Sequence, residues 1–502
     1  MQQKRNIVIK ARKWAAVGCV LVGVIVVLAT AQDAAAAPKN ADKPNVVLML
    51  ADNVGWGDIG AYGGGEMRGM PTPRIDRLAS EGLQFTQFLV EPGCTPSRAA
   101  LLTGRYAARA GLGTIIIGGT PNTLLEKEFT MAELFKSKGY ATGMTGKWHL
   151  GSEEQSWPTR QGFDEYKVGV IETSDGTLYR GHMERVGIPE DQIRQAAPSI
   201  MESDAEGNLQ VVREYTVEYR KKVEGDIAAA SVDYIKRHAN KDKPFFLYVG
   251  WTHTHYPNVT PAEFTGKSSH PYGDAIMELD YRTGQVLDAI KEAGIEDDTI
   301  VIWLSDNSAT PTGSPFNFRG GSNGPWRGEL GDALEGSLRV PGMIKWPGKI
   351  PVRKSNEMVS IHDFFVTFAE MLDAELPNDR YYDGVDQMDF LLGNQENSNR
   401  EHLMTFVNNE LGAVRWKNYR IYPKPFGQSS SNPWQEGGLG TRALNNELPD
   451  LYNIEMDPRE QINITADNAW VFRHYLRIIG EYKKSLEKYP NPAGVSLTET
   501  GL

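Results

Sequence analysis

Three continuous apolar runs of strand length constrain this chain most: Asn45-Val46-Val47-Leu48-Met49-Leu50, Phe245-Phe246-Leu247-Tyr248-Val249-Gly250 and Thr299-Ile300-Val301-Ile302-Trp303-Leu304. Such runs suit strands buried on both faces of a parallel sheet. Helical patterns lie between them. Pro73 to Phe85 has helical spacing through Ile75, Leu78, Ala79 and Leu83. Thr130 to Lys138 opens on a capping box of Thr130 and Glu133 and stops at Gly139. Asp226 to His238 and Ala275 to Ala293 complete the set. Helices alternating with buried strands predict an α/β sheet with right-handed crossovers. A shorter strand, Tyr140 to Met144, leads into Gly146-Lys147-Trp148-His149, and residues 150 to about 225 read as a long insertion. The helix carrying Phe364, Phe365, Phe368 and Leu372 closes this domain. Residues 396–502 differ: short strand-like runs (His402 to Phe406, Val414 to Tyr422, Pro449 to Tyr452) precede a helix from Trp470 to Tyr489. That pattern predicts a small C-terminal α+β subdomain, an antiparallel sheet packed by one helix. The expected division is 1–37, 38–395 and 396–502.

Two of the buried runs end in the same dipeptide, Asp52-Asn53 and Asp306-Asn307. Ligands of open α/β sheets bind beyond the carboxyl ends of strands. One Asp-Asn is commonplace in a turn. Two, each directly after a buried strand, offer carboxylate and amide oxygens suited to a hard cation such as Ca²⁺ or Mg²⁺. Lys147, His149, His253 and His255 also follow strand ends. A histidine there can be a satisfied structural residue, but topology brings these imidazoles, the lysine and the carboxylates to one rim.

The chain has two cysteines, Cys19 and Cys94. Cys19 lies in a candidate export signal, and once that is cut Cys94 has no intrachain disulfide partner. A lone cysteine in an exported protein is a buried small hydrophobe or a functional group. Its neighbours favour function. Pro96 fixes a turn, Arg98 brings a permanent cation, and Ser97 is placed to cap a helix starting near Arg98. Cys94 would then stand at the positive end of a helix, as a thiolate nucleophile or beside an anion site.

Cys94-Thr95-Pro96-Ser97-Arg98, continuing to Leu102-Thr103-Gly104-Arg105, resembles the signature of type I sulfatases, members of the alkaline phosphatase superfamily. The likeness covers most of residues 45–350 and, less distinctively, Leu451 to Pro458. It implies an alkaline-phosphatase-like fold with a mixed, mostly parallel sheet flanked by helices. It implies oxidation of Cys94 to formylglycine, whose hydrate attacks sulfur and later expels sulfate by C–O cleavage. The metal, Ca²⁺ ahead of Mg²⁺, would be held by Asp52, Asn53, Asp306, Asn307 and modified residue 94. Arg98 and His149 would orient and polarise the hydrate, Lys147 would bind a sulfate oxygen, and His255 would protonate the leaving oxygen, with His253 as its rival. Two departures stand out. The family's first strand commonly ends Asp-Asp where this chain has Asp52-Asn53. A segment that often reads Arg-Gly-x-Lys-Gly has Leu330 in the lysine's place, leaving Arg327 as a candidate substrate-binding substitute.

The implied enzyme is a sulfuric ester hydrolase of the arylsulfatase type, acting on a sulfated small molecule or sulfated sugar. Two alternatives remain: a phosphomonoester or phosphonate hydrolase on the same fold, and a non-catalytic binder of sulfated ligands. The first 31 residues carry five cations, no acid and an apolar run from Trp14 to about Leu28, followed by Ala29-Thr30-Ala31. That reads as a cleaved signal peptide, with an uncleaved anchor as the alternative. It implies the export machinery, a formylglycine-generating (sulfatase-maturating) enzyme, and a periplasmic or secreted location. The net charge of −11 becomes more negative once those five cations leave, which argues against nucleic-acid binding.

Overall fold

A computed structural model describes residues 43–118, 120–311, 321–423 and 448–495. The signal-peptide reading of residues 1–37 falls outside them. The three apolar runs form β1 (Asn45–Ala51), β7 (Phe245–Gly250) and β8 (Thr299–Ser305), every residue buried. They join β2 (Leu83–Leu89), β3 (Ala141–Lys147), β4 (Glu165–Val170), β5 (Ser199–Ser203), β6 (Leu209–Glu214), β9 (Arg339–Lys345) and β10 (Arg353–Ser360). The sheet order is β10-β2-β9-β8-β1-β7-β3-β4-β5-β6. Only β9 and β5 run against the rest, so the sheet is mixed and mostly parallel.

Alternate residues of β1 feed two cores. Val46, Leu48 and Leu50 face the helices Cys94–Thr103, Met131–Ser137 and Asp363–Met371. Val47, Met49 and Ala51 face Pro73–Ser80, Val217–His238 and Pro271–Glu292. A helix layer thus covers each face of the sheet, as both-face burial of β1 requires. No helix among the described residues is long and apolar enough to cross a membrane.

A second sheet, β11 (His402–Val407), β12 (Glu410–Trp416), β13 (Tyr419–Tyr422) and β14 (Asp450–Asn453), is antiparallel and packs against the helix Phe472–Lys488. It forms the small antiparallel sheet packed by one helix that the sequence predicts for the C-terminal part. At its junction with the main sheet, Glu335 is wholly buried among Arg339, Arg415 and Arg420. Its backbone N–H donates to Glu460 at 2.8 Å.

Several sequence expectations are corrected. The 73–85 pattern is a helix only to Ser80, and Leu83 already opens β2. The 150–225 stretch supplies three strands of the main sheet rather than a separate insertion, and the Asp226 helix starts earlier, at Val217. Val414–Tyr422 breaks into two strands at Lys417 and Asn418, with Lys417 at φ +51°. Ser97 is no cap: the helix begins at Cys94, and Ser97 Oγ instead binds the Glu91 backbone, donating to its carbonyl at 3.0 Å and accepting from its N–H at 3.1 Å.

Candidate functional site

Four adjacent parallel strands, β8-β1-β7-β3, end flush: Leu50 pairs with Leu304 and Gly250, and Gly250 with Gly146. Asp52, Asp306, His253 and Lys147 therefore emerge on one rim, as the strand order requires. The close approach of β3 and β7 needs Gly250, because a Cβ there would lie 2.4 Å from the Lys147 carbonyl oxygen. Past the strands the backbone turns sharply. Asn53 and His149 both adopt left-handed conformations, at φ +63° and +61°, which asparagine tolerates better than most residues.

The helix Cys94–Thr103 is buried along its whole length and points its N-terminus at this rim. Cys94 Sγ lies 3.4 Å from Asp52 Oδ1 and 3.7 Å from Asn53 Oδ1. Lys147 Nζ donates to Asp52 Oδ2 at 2.6 Å. Arg98 Nε donates to Asp306 Oδ2 at 3.0 Å, and its Nη1 to the Lys147 carbonyl at 2.8 Å. The Asn53 N–H reaches Asp306 Oδ1 at 3.2 Å, and Asn307 Nδ2 donates to Asn53 Oδ1. Two buried carboxylates thus face two buried cations around the thiol.

The electrostatics follow from that arrangement. Burial lifts the Asp52 carboxyl, but Lys147, His255 and Arg98 outweigh it and hold the group below the usual carboxylate range. Asp306 goes the other way, raised by burial and by the charge of Asp52 against Arg98 and Lys147. Burial, Asp306 and Asp52 push the Cys94 thiol well up, so it stays protonated. A neutral thiol is a weak nucleophile, and of the two chemical readings the sequence allowed, the thiolate is the less favoured.

The histidines separate cleanly. His253 is buried with both nitrogens engaged: Nδ1 lies 2.7 Å from Arg220 Nη2 and Nε2 3.0 Å from Glu278 Oε2. Because arginine can only donate, Nδ1 accepts and Nε2–H donates. Burial and Arg220 press its pKa down to about 3, so it is a fixed structural group. His255 Nδ1 donates to the Tyr256 carbonyl at 2.9 Å, which leaves Nε2 available. His149 Nε2 donates to the Ile116 carbonyl at 2.8 Å, and its Nδ1 has no partner among the described residues. Burial and Lys147 hold His149 neutral, so that Nδ1 carries a free lone pair.

Arg327 follows Trp326, whose ring stacks on Trp56 in the loop after β1 at 5.0 Å. The Arg327 backbone N–H donates to Pro458 at 3.2 Å, and its charge acts on Tyr452 of the second sheet. The segment carrying Leu330 is also tied to the site, since the Gly331 N–H donates to Pro92 at 2.8 Å. Sequence reasoning missed Tyr248, whose hydroxyl meets Arg98 Nη1 at 3.3 Å from within an apolar strand, and the Arg220–Glu278 clamp on His253.

The donor set fits a hard cation. Asp52, Cys94 and Asp306 offer ligand atoms within 4.8 Å of one another. Asn307 Oδ1 is buried without a partner among the described residues, and such an atom is costly unless something binds it. Formally the two carboxylates and two cations cancel, so a divalent ion would leave the site doubly positive, suited to an anionic ester.

The sulfatase family matches residues 44–374. Steryl-sulfatase of Rattus norvegicus is 32% identical, with 90% of this chain and 91% of the relative covered. Arylsulfatase A of Homo sapiens is 33% identical, covering 85% and 84%. The solved PsFucS1 sulfatase from Pseudoalteromonas sp. superposes with a TM-score of 0.82 at 31% identity, covering 90% and 92%. Since the match runs from β1 through the Cys94 helix to the strand ends bearing Lys147 and Asp306, the chain belongs to the sulfatase family, as a sulfuric ester hydrolase of the alkaline phosphatase superfamily.

Proposed function

We propose that the chain hydrolyses sulfate esters through a formylglycine formed from Cys94, assisted by a bound divalent cation, calcium ahead of magnesium. The observation that carries this reading is the placement of Cys94 at a helix N-terminus between the Asp52 and Asn53 oxygens, with Lys147 on Asp52. Cys94 Sγ stands where a hydroxyl oxygen of the converted, hydrated residue would be, and that hydrate supplies the nucleophile. Asp52, Asn53, Asp306, Asn307 and residue 94 would hold the cation, which supplies electrophilic stabilisation of sulfate oxygens.

The chain's own groups divide the remaining work. Lys147 neutralises a sulfate oxygen, and Arg98 fixes Asp306 while presenting its charge beneath residue 94. His255 gives a proton from Nε2 to the departing oxygen, its ring held by the Nδ1–H bond to Tyr256. His149 receives a proton at Nδ1, its one open position. The export signal implies that this chemistry runs in the periplasm or outside the cell, after a maturating enzyme has acted on Cys94. A panel of sulfate esters assayed with calcium, beside matching phosphate and phosphonate esters, tests the reading. Faster turnover of the phosphorus esters would favour the phosphohydrolase alternative, and tight binding without turnover would favour the non-catalytic one.

His255→Ala is expected to slow hydrolysis of alkyl sulfates by about a hundredfold or more, and of nitrophenyl sulfate far less, because nitrophenolate leaves without a proton. His253→Gln is expected to lower the unfolding midpoint, with no such dependence on the leaving group. Equal losses for both esters in His255→Ala would remove the acid role.

Chelation is expected to lower the thermal unfolding midpoint and calcium to restore it, since ligand at about a hundred times its Kd stabilises by ~2.7 kcal/mol. Asn53→Asp adds a negative charge among the donors and should reach the same restored midpoint at lower calcium. An unchanged calcium dependence would show that residue 53 does not contribute to the cation site.

A further inference from the structure

The Cys94–Thr103 helix stops at Gly104, whose carbonyl accepts from the Asp383 and Gly384 N–H groups, both at 2.9 Å. Past that end lies a cavity of about 350 Å³. Tyr106 and Arg109, the 381–385 loop, and residues of β11 and the helix Phe472–Lys488 wall it. Cys94 stands at the opposite end of the ten-residue helix, about 15 Å away at 1.5 Å per residue. Arg109 is 2% exposed. Its Nε donates to Asp383, at 2.8 Å to Oδ2 and 3.1 Å to Oδ1. The Tyr381 and Tyr482 rings lie over its guanidinium, with centroids 4.7 and 4.4 Å from the central carbon. Among the described residues every hydrogen bond of this side chain is made at Nε, and the buried Nη1 has no partner.

The other charged groups of the wall are already engaged. Asp383 Oδ2 also accepts from the Tyr106 N–H at 2.8 Å. Glu401 accepts from Trp416 Nε1 and Arg477 Nη2, each at 2.9 Å, and Glu481 from Arg477 Nη1 at 3.2 Å. Arg400 donates to Asp363 and to the His402 and Asp383 carbonyls. The Nη end of Arg109 is what stays open, so a molecule seated here has to bring acceptors. A buried guanidinium without them is costly, and a carboxylate matches its fork with two parallel bonds. Charge narrows the choice further. Asp383, Glu401 and Glu481, with Asp363 behind them, outnumber Arg109, Arg400 and Arg477 by one. His402 adds no cation, because burial and Arg400 press its pKa down to about 4. That excess opposes a dianion such as sulfate more than a monoanion. Val385, Met404 and Ile478 give the cavity an apolar side. We propose that this cavity is a second ligand site, separate from the catalytic rim, where the Nη end of Arg109 holds the carboxylate of a small organic acid with a compact apolar body.

The test uses the full chain, with benzoate as the probe. Titration calorimetry should show saturable binding of one benzoate per chain. Benzamide has the same shape without the charge and should bind about tenfold more weakly. Sulfate at the benzoate concentration should not displace it. Saturating benzoate should leave the KM for nitrophenyl sulfate unchanged, because the cavity and residue 94 lie at opposite ends of the helix. Arg109→Lys keeps the charge but removes the fork, and should weaken benzoate by about tenfold or more. That variant also disturbs Asp383, so Glu481→Gln is the second one. It removes a negative charge from an exposed side chain whose pairing with Arg477 adds little to stability. It should tighten benzoate by about twofold at low salt, an effect that fades as salt rises. The proposal is overturned by absence of saturable binding in the wild type, equal affinity for benzamide, displacement by sulfate, or competition with the ester. Unchanged binding in Arg109→Lys, or weaker binding in Glu481→Gln, overturns it as well.

Discussion

Cys94→Ala is expected to abolish sulfate-ester turnover, a loss of about a millionfold, the scale seen when a covalent nucleophile is removed. The fold should survive, because the side chain is a small buried group at the first turn of a helix packed along its whole length. Binding should survive as well, since Lys147 and Arg98 remain in place. Cys94→Ser is the sharper variant. A serine oxygen can take one SO₃ from an ester, releasing the alcohol as a proton reaches the departing oxygen. It has no second hydroxyl from which to expel sulfate, so the reaction should stop after a single turnover, with one SO₃ added to the protein by mass spectrometry. Multiple turnovers by either variant would show that residue 94 is not the nucleophile.

Glu335→Leu is expected to destabilise the protein by about 3–5 kcal/mol, read as a lower denaturant midpoint. Glu335 is held below the usual carboxylate range: burial lifts it, but Arg415, Arg339 and Arg420 outweigh that cost. Without it, three buried guanidinium groups face each other. Glu460 is a poor substitute, because burial pushes its carboxyl up to about 7 and its oxygens already serve the Glu335 N–H and the Tyr422 hydroxyl. Glu335→Gln preserves the shape and loses only the charge, so it should fall between. A shift under about 1 kcal/mol for Leu would mean that the arginines find other partners. Because Arg415 and Arg420 lie on β12 and β13 while Glu335 follows the Leu330 segment, the second sheet should loosen first.

Much of this could be read along the chain, and the residues explain where reading stopped. The runs that became β1, β7 and β8 are buried on both faces, so their apolar character is continuous. β2 is buried at every residue but Thr86, yet carries Gln84 and Gln87, each bonded inside the protein, to the Ala61 carbonyl and to Arg415. Those polar positions interrupt the pattern. β9 contains Pro341 and Gly342, residues that usually argue against an interior strand. The sheet accommodates them because the β2–β9 register shifts between Phe85 and Phe88, and the Tyr62 hydroxyl accepts from the Gly342 N–H at 2.9 Å. No local pattern carries that compensation.

The site was more legible than the sheet. Asp52, Asn53, Asp306, Asn307, Lys147 and Cys94 meet because each ends or follows a buried strand or opens a helix, and strand order does the rest. Hidden from the sequence were the partners that decide roles. The sequence left His253 and His255 as rivals, and only Arg220 and Glu278, far from both along the chain, tell them apart.

The complete enclosure of the Cys94 helix sets a timetable. With only 1% of the Cys94 surface exposed and the sheet closed over its neighbours, no second protein can grip that residue once folding has finished. The conversion of Cys94 proposed above would therefore compete with folding for each new polypeptide. Chains that fold first would form a well-packed, soluble and permanently silent pool, so specific activity would report how that race was won.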